Sequence, residues 1–351
     1  SYLCTQLKWW CPVCRKAAVS EIIHIAPVQI MLTLEVLESF MVPCRTTILR
    51  KVKLKNSGMN QSKSYPKVLS IAGSDSSGGA GIQADLKTFS ALGVYGATAI
   101  TAITAQNTQG VNSQFALEPQ MVYDQIAAVM DDIEPSVVKI GMLSNTAIVE
   151  AVAKALHDYR PSFIILDPVI VSSTGHRLLS IEAQETIKEK LIPIADLLTP
   201  NIPEMKALTD SSLLSLEEKK EAAQQLFNLG AKAILLKGGH EESEIKKDYL
   251  FFNGLKAKDK SLKSASVSMS ESEYASEYAS ETVITNNTHG TGCTLSSAIA
   301  AFIARGFSLE DAISEAKNYV TEAIRAGADV KIGKGIGPVN HFFNPQKMIV
   351  L

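Results

Sequence analysis

From residue 67 onward the chain alternates between two textures. Short apolar runs closing on glycine or a polar residue predict buried strands at 68–73, 97–104, 137–140, 163–166, 197–199 and 233–236. Between them, apolar residues recur at spacings of three and four and predict helices over 81–92, 119–130, 145–159, 181–191 and 216–229. In the first of these, Ile82, Leu86, Phe89 and Leu92 share one face, and Gly230 supplies a left-handed stop for the last. Two helices at 292–304 and 309–326 end the pattern. Apolar strands alternating with helices predict an α/β fold, a central mostly parallel sheet with helices on both faces. Ligands of such sheets sit beyond the carboxyl ends of the strands. The residues that follow the strands are therefore the first functional candidates: Asp75, Gln106, Gly141, Met142, Asp167, Asn201, Glu204 and Lys237.

The pattern lapses twice. Residues 258–281 are rich in Ser, Lys and Glu, and the quartet Ser-Glu-Tyr-Ala occurs at 272–275 and again at 276–279. Low hydrophobicity and short repetition predict a mobile low-complexity insert loop there, between a strand near 249–252 and another at 282–285. The other lapse is N-terminal. Residues 1–58 carry eight Lys/Arg and three Asp/Glu, a net +5, while the whole chain is −2 and the remainder is therefore −7. Both tryptophans and four of the five cysteines also lie in this stretch. We read 1–58 as an N-terminal extension, disordered or foreign to the domain, and 59–351 as the folded domain. A zinc module on Cys11 and Cys14 would need a second ligand pair from Cys4, His24 or Cys44, and those spacings match no usual zinc pattern. The apolar run at 22–37 is interrupted by His24, Pro27 and Glu35 and makes no clean signal segment.

Composition narrows the function classes. The chain has 351 residues, 46% hydrophobic and 20% charged, which is globular. Near-balanced charge argues against a broad nucleic-acid surface. No run of about 18 apolar residues predicts a membrane span. Cys293 is the one cysteine beyond residue 58, so no disulfide is expected within the domain, and a reducing cytoplasm fits.

Three local patterns carry chemistry. The first is Asn287-Thr288-His289-Gly290-Thr291-Gly292-Cys293-Thr294 ahead of a small-residue helix. Glycines let the backbone curl, and the helix start supplies unpaired N–H groups and a positive dipole end, an anion pocket suited to a transferring phosphoryl group. Cys293 at that helix start is expected to have a thiol pKa below its ordinary value, against the plainer reading of a buried small hydrophobe. The second runs from Gly73 to Asp85. Gly79-Ala80-Gly81 with Ala84 imitates a dinucleotide fingerprint, but the next strand ends in Ala105-Gln106-Asn107 with no acid for a ribose. Asp75, Asp85 and Gln106 instead suit a small polar ring, or simple turn and cap chemistry. The third is dispersed. Asp167 and Glu204 are two carboxylates able to hold hydrated Mg²⁺ against phosphates, and Lys237 can neutralise phosphate as a point charge.

In this order, the pieces resemble the hydroxymethylpyrimidine/phosphomethylpyrimidine kinases, of the ribokinase-like superfamily. The resemblance runs from about residue 66 to 343. It passes through 71–75, 77–88, 105–108, 139–143, 166–169, 199–204, 237–240 and 287–294 and ends at 335–339. It implies a ribokinase-like α/β fold and ATP-dependent phosphorylation of 4-amino-5-hydroxymethyl-2-methylpyrimidine and then of its monophosphate, in thiamine biosynthesis. It implies that Gly73, Asp85, Gln106, Met142 and Val169 line the pyrimidine pocket, that Asp167 and Glu204 organise Mg²⁺, and that Lys237, Asn201 and Thr291 meet ATP. Gly290, Thr291 and Gly292 become the anion hole and Cys293 the catalytic residue, where many superfamily members carry Asp. A cytoplasmic homodimer is the expected setting, with no nucleic-acid or membrane partner. A pyridoxal/pyridoxine kinase of the same superfamily is the alternative. A catalytically silent binding protein is opposed by the joint presence of Asp167, Glu204, Lys237 and residues 290–293.

Overall fold

The computed structural model describes residues 63–171, 178–209, 211–239, 244–253 and 273–351. The expected extension at 1–58 and residues 258–272 of the expected insert lie outside the described residues. Strand β1 (Lys67–Asp75) leads through α1 (Gly81–Ala91) to β2 (Tyr95–Asn107), which turns into β3 (Gly110–Ala116). Then follow α2 (Pro119–Asp132), β4 (Val137–Ile140), α3 (Thr146–Tyr159), β5 (Phe163–Leu166), α4 (Ile181–Lys190) and β6 (Leu197–Leu198). The second half holds α5 (Ile202–Thr209), α6 (Leu216–Asn228), β7 (Ala233–Leu236), β8 (Ile245–Phe252), β9 (Glu273–Glu281), α7 (Thr291–Ala304) and α8 (Leu309–Gly327).

Among the described residues nine strands form one sheet in the order β3-β2-β1-β4-β5-β6-β7-β8-β9. Pairings from β2 through β7 are parallel, and β3, β8 and β9 are antiparallel at the two ends. The strand pleat sends neighbours to opposite faces. Leu69, Val138 and Ile164 enter a core shared with α3, α4 and α6, while Val68, Val137 and Ile165 enter another shared with α7 and α8. That is why the strands read as unbroken apolar runs. Helix α8 buries Leu309, Ala312, Ile313, Ala316, Tyr319, Val320 and Ala323 on one stripe, and Ser308 caps it by accepting from the Asp311 N–H at 3.1 Å. Helix α7 is buried nearly all round, Leu295 through Phe302.

Two expectations need correction. The Ser-Glu-Tyr-Ala repeat does not lie wholly in a loop: residues 273–281 form β9, paired antiparallel with β8. A four-residue repeat is also a two-residue alternation, so Ser276, Tyr278 and Ser280 are half-buried while Glu277, Ala279 and Glu281 are exposed. Tyr278 packs on the α7–α8 core, and its hydroxyl donates to the Glu310 carbonyl at 3.4 Å. The strand expected at 282–285 is absent, because the pairing ends at Glu281. Strand β3 and helix α5 were not expected. The latter begins with a reciprocal cap: Asn201 Oδ1 accepts from the Glu204 N–H at 2.8 Å, and Glu204 Oε2 accepts from the Asn201 N–H at 2.7 Å.

Candidate active site

The carboxyl ends of β1, β2, β4, β5, β6 and β7 open into one cavity of about 490 Å³, closed from the far side by residues 288–293. That volume suits a small-molecule ligand. One end is apolar. Met142, Ala102 and Leu178 form a small cluster with Val169 against them. A methyl group at Gly73 would lie 2.9 Å from Met142 Sδ, so the missing side chain keeps this end open. Gln106 supplies polarity here.

The charged centre lies between the halves. Lys237 Nζ is 2.7 Å from Asp167 Oδ1 and 3.9 Å from Glu204 Oε2, all three side chains being buried. Asp167 also accepts from Thr199 Oγ1 and Ser296 Oγ, each at 3.2 Å. Burial works against its charge, but Lys237 and then Lys139 outweigh it and hold the carboxyl below its ordinary value. Burial likewise works against the Lys237 ammonium, and Asp167 with Glu204 holds it above its ordinary value. Glu204 goes the other way. Burial raises it to about 7, Asp167 adds to the rise, and Lys237 only partly offsets it.

Helix α7 begins at this centre. Gly290 is its cap, with φ 79°. The N–H groups of Gly292 and Cys293 have no hydrogen-bond partner among the described residues, as expected for a helix start without a side-chain cap. A Cβ built on Gly292 would lie 3.4 Å from Lys237 Nζ, so the ammonium and the dipole end converge on one spot. The expectation for Cys293 is corrected here. Its thiol is pushed up to about 11, not down. Burial is the main cause, with Asp85 and Asp167 adding to it, and neither Lys139 nor the Gly81 N–H restores the balance.

The structure gathers Gly73, Gln106, Met142, Val169, Asp167, Asn201, Glu204, Lys237 and residues 290–293 around the same cavity. Asp85 is the exception and corrects the expected ligand contact. It is fully buried, and its two oxygens take Lys139 Nζ at 2.9 Å, Ser70 at 2.5 Å and Ser297 at 2.6 Å. Asp85 thus stands one layer behind the wall and neutralises Lys139, which does face the cavity. Asp75 is similarly occupied. It accepts from the N–H groups of Ser77 and Ala80 at 2.8 Å and meets His289 Nε2 at 2.8 Å. Burial opposes its ionisation, but His289 and Ser77 hold the carboxyl at about 2.

The sequence profile of the family described as phosphomethylpyrimidine kinase matches residues 75–340. The chain belongs to the phosphomethylpyrimidine kinase family. The hydroxymethylpyrimidine/phosphomethylpyrimidine kinase of Escherichia coli is 42% identical over 275 residues, which is 78% of this chain and 96% of that protein. The thiamine biosynthesis bifunctional protein ThiED of Geobacter sulfurreducens is 43% identical over 284 residues, 80% of this chain, and this chain spans only 54% of its length. Among solved structures, an ADP complex of Bacillus subtilis pyridoxal kinase superposes with a TM-score of 0.68 at 34% identity, covering 79% of this chain and 98% of that one. The fold is thus that of the ribokinase-like vitamin kinases.

Phosphomethylpyrimidine kinase motifs account for the floor of the cavity, and the sequence reading missed its outer half. Asp248 on β8 accepts from the Gly238 N–H at 2.9 Å and from Lys317 Nζ at 2.7 Å, tying β7 to α8 beside Thr321 and Ile324. A clue was present in Asp248, the lone acid of a strand whose other residues are two lysines and apolar or aromatic side chains.

Proposed function

We propose that this chain transfers the γ-phosphoryl group of ATP to the hydroxymethyl group of an aminopyrimidine, and then to the monophosphate so formed. The observation that carries the reading is the meeting of Lys237 Nζ with the start of α7, in the cavity whose inner end is Gly73, Gln106, Met142 and Val169. The ring lies at the inner end. The triphosphate reaches inward from the Asp248 side, with Asn201 and Thr291 beside it. The substrate oxygen bonds to the γ-phosphorus as the bond to the bridging oxygen breaks; ADP leaves, and the alcohol's proton passes by way of the small thiolate fraction of Cys293 to solvent. Charge on the phosphoryl oxygens falls among the free N–H groups of α7 and the Lys237 ammonium, where one donor contributes roughly 3–4 kcal/mol.

Mg²⁺ fits the donor set. This ion keeps several waters and uses one or two carboxylates with substrate phosphates, and Asp167 and Glu204 are two carboxylates at that place. When bound it neutralises nucleotide charge. Cys293 is neutral in the free protein, because its thiol stands at about 11. Its thiolate fraction at neutral pH is small, so transfer relies chiefly on positioning and charge, which a loose phosphoryl transition state allows. The monophosphate is already largely ionised near neutral pH and needs no base. Cys293→Ala is therefore expected to slow phosphorylation of the alcohol more than that of the monophosphate, and equal losses would remove Cys293 from proton transfer.

The deciding experiment follows ATP consumption by the purified chain with the aminopyrimidine alcohol, its monophosphate and pyridoxal. Turnover of the first two supports the reading; turnover of none defeats it. The likeness to a pyridoxal kinase structure favours pyridoxal as the second reading, and preference for that ring would establish it. We also propose a cytoplasmic homodimer. Ile103 and Phe115 pair across β2 and β3 and are 49% and 69% exposed, an apolar patch at the sheet's end that a second copy would cover. Sedimentation at micromolar concentration reads this directly. Among the described residues no helix is long and apolar enough to cross a membrane.

A further inference from the structure

We propose that Asp75 and His289 lock the side-chain amide of Gln106 in one orientation, which makes His289 a specificity-determining positioning residue for the ring that the cavity accepts. The inference rests on the kinase reading above and deepens it.

His289 Nε2 lies 2.8 Å from Asp75 Oδ2 and 3.2 Å from the amide atom placed as Gln106 Nε2. Every other neighbour of the Asp75 carboxylate is a donor: the Ala80 N–H at 2.8 Å and the Gly79 N–H at 3.2 Å on Oδ2, and the Ser77 N–H at 2.8 Å and hydroxyl at 2.7 Å on Oδ1. An ionised carboxylate only accepts, so His289 Nε2 carries its proton. An N–H cannot face an NH₂ group. Oxygen and nitrogen of a carboxamide fill nearly the same volume, and the network decides which is which. The Gln106 amide is therefore turned over, its oxygen on the His289 side and sharing the one Nε2 proton with Asp75.

The far side of the amide makes the same demand. Thr104 Oγ1 lies 2.9 Å from the Ser74 carbonyl and 3.1 Å from the amide atom placed as Gln106 Oε1. A hydroxyl has one proton, and the shorter contact, to a carbonyl that can only accept, takes it. The Thr104 oxygen is then an acceptor and takes an N–H from Gln106. His289 itself has little room to turn. A methyl group at Gly79 would lie 2.4 Å from its Cδ2, and its backbone N–H donates to Gly337 O at 3.0 Å.

Locked in this way, the tip of Gln106 presents one acceptor and one donor side by side in a fixed order. An aminopyrimidine edge, an amino group next to a ring nitrogen, matches such a pair. A hydroxypyridine separates its hydroxyl from the ring nitrogen by a substituted carbon and offers no adjacent pair. A free amide would turn to suit either; a locked one discriminates, and mispairing with fixed polar groups is where ring selectivity is largest.

Two measurements on the full chain test this. The ¹⁵N spectrum of histidine-labelled protein, with His289 assigned from its loss in His289→Gln, is expected to show the Nε2-protonated tautomer; the Nδ1-protonated tautomer would overturn the lock. In kinetics, His289→Phe is expected to raise KM for the aminopyrimidine alcohol about tenfold. It should leave KM for ATP within about twofold and cut the preference over pyridoxal about tenfold, the scale of one lost hydrogen bond. His289→Gln restores an N–H at similar reach and is expected to recover most of that preference. An unchanged preference, an equal rise in KM for ATP, or no recovery with Gln would each overturn the proposal. Should the Phe variant not fold, the spectrum decides alone. Should the wild type phosphorylate neither ring, the kinase reading falls while the spectrum still decides the lock.

Discussion

Gly290 and Gly79 touch backbone to backbone: a methyl group on Gly290 would sit 1.8 Å from the Gly79 carbonyl oxygen. Gly290 also has φ 79°, where a Cβ is strained in its own right. The contact joins the loop after β1 to the start of α7, so the apolar end of the cavity and the open helix start share one wall. Gly290→Ala must push the two loops apart. We expect a fall in kcat of about a hundredfold or more, comparable to misplacing one oxyanion-type donor. A melting temperature several degrees lower should accompany it. Wild-type kinetics in this variant would mean that the two loops move independently.

Glu204 gives a prediction with a sign. Its carboxyl is raised from 4.5 to about 7 by burial, so the folded state holds the proton more tightly than the unfolded one. Stability from this group is therefore complete below about pH 4.5 and is lost as pH rises through about 7. Glu204→Gln imitates the protonated acid and keeps an oxygen for the Asn201 N–H. It is expected to be more stable than wild type at pH 8, by on the order of 1–3 kcal/mol, and no more stable at pH 4.5. Its activity should fall at least tenfold at both ends of the range where wild type works. Thermal melts at the two pH values read the difference, and a gain that is the same at both would assign it to something other than proton binding.

The helices and parallel strands were legible because each carries its own periodicity within a dozen residues. So was the glycine-rich helix start, since 287–294 compresses loop, glycines and helix start into one string. Other features depend on residues far apart in the chain. Asp85 meets Lys139, 54 positions away, and nothing local to either shows that the pair neutralises itself behind the cavity wall. Cys293 sits at a helix start, which alone would lower its pKa; the burial that overrides this comes from the tertiary fold. The β9 repeat was hidden differently. Its composition resembles a loop, and only its two-residue alternation marks the strand. Asn201-x-x-Glu204 is a capping box as well as a candidate metal and nucleotide site, and the second reading obscured the first.

Lys237 separates structural from chemical roles. Lys237→Met leaves Asp167 buried with hydroxyl donors but without its ammonium at 2.7 Å, a loss that costs about 3–5 kcal/mol when one partner of a buried pair is removed. Adding Asp167→Asn removes the orphaned charge. The double variant is therefore expected to regain much of the stability and none of the activity, which stays down by about a thousandfold. Denaturant unfolding and steady-state turnover on the three proteins check both halves. Activity returning with stability would make Lys237 a purely structural residue.

Cys293 tests the electrostatics of the site in the resting protein. Only the thiolate reacts with iodoacetamide, so the alkylation rate follows the ionised fraction. With the thiol at about 11, the rate at Cys293 is expected to rise close to tenfold per pH unit from 7 to 9 without levelling off. Mass spectrometry of the peptide containing Cys293 isolates this site from the four cysteines in residues 1–58. Lys139→Met should slow the reaction further at a given pH, because Lys139 is the main charge favouring the thiolate. A plateau near pH 7 would show instead that the dipole of α7 governs the thiol, and Cys293 would then be an efficient base at neutral pH.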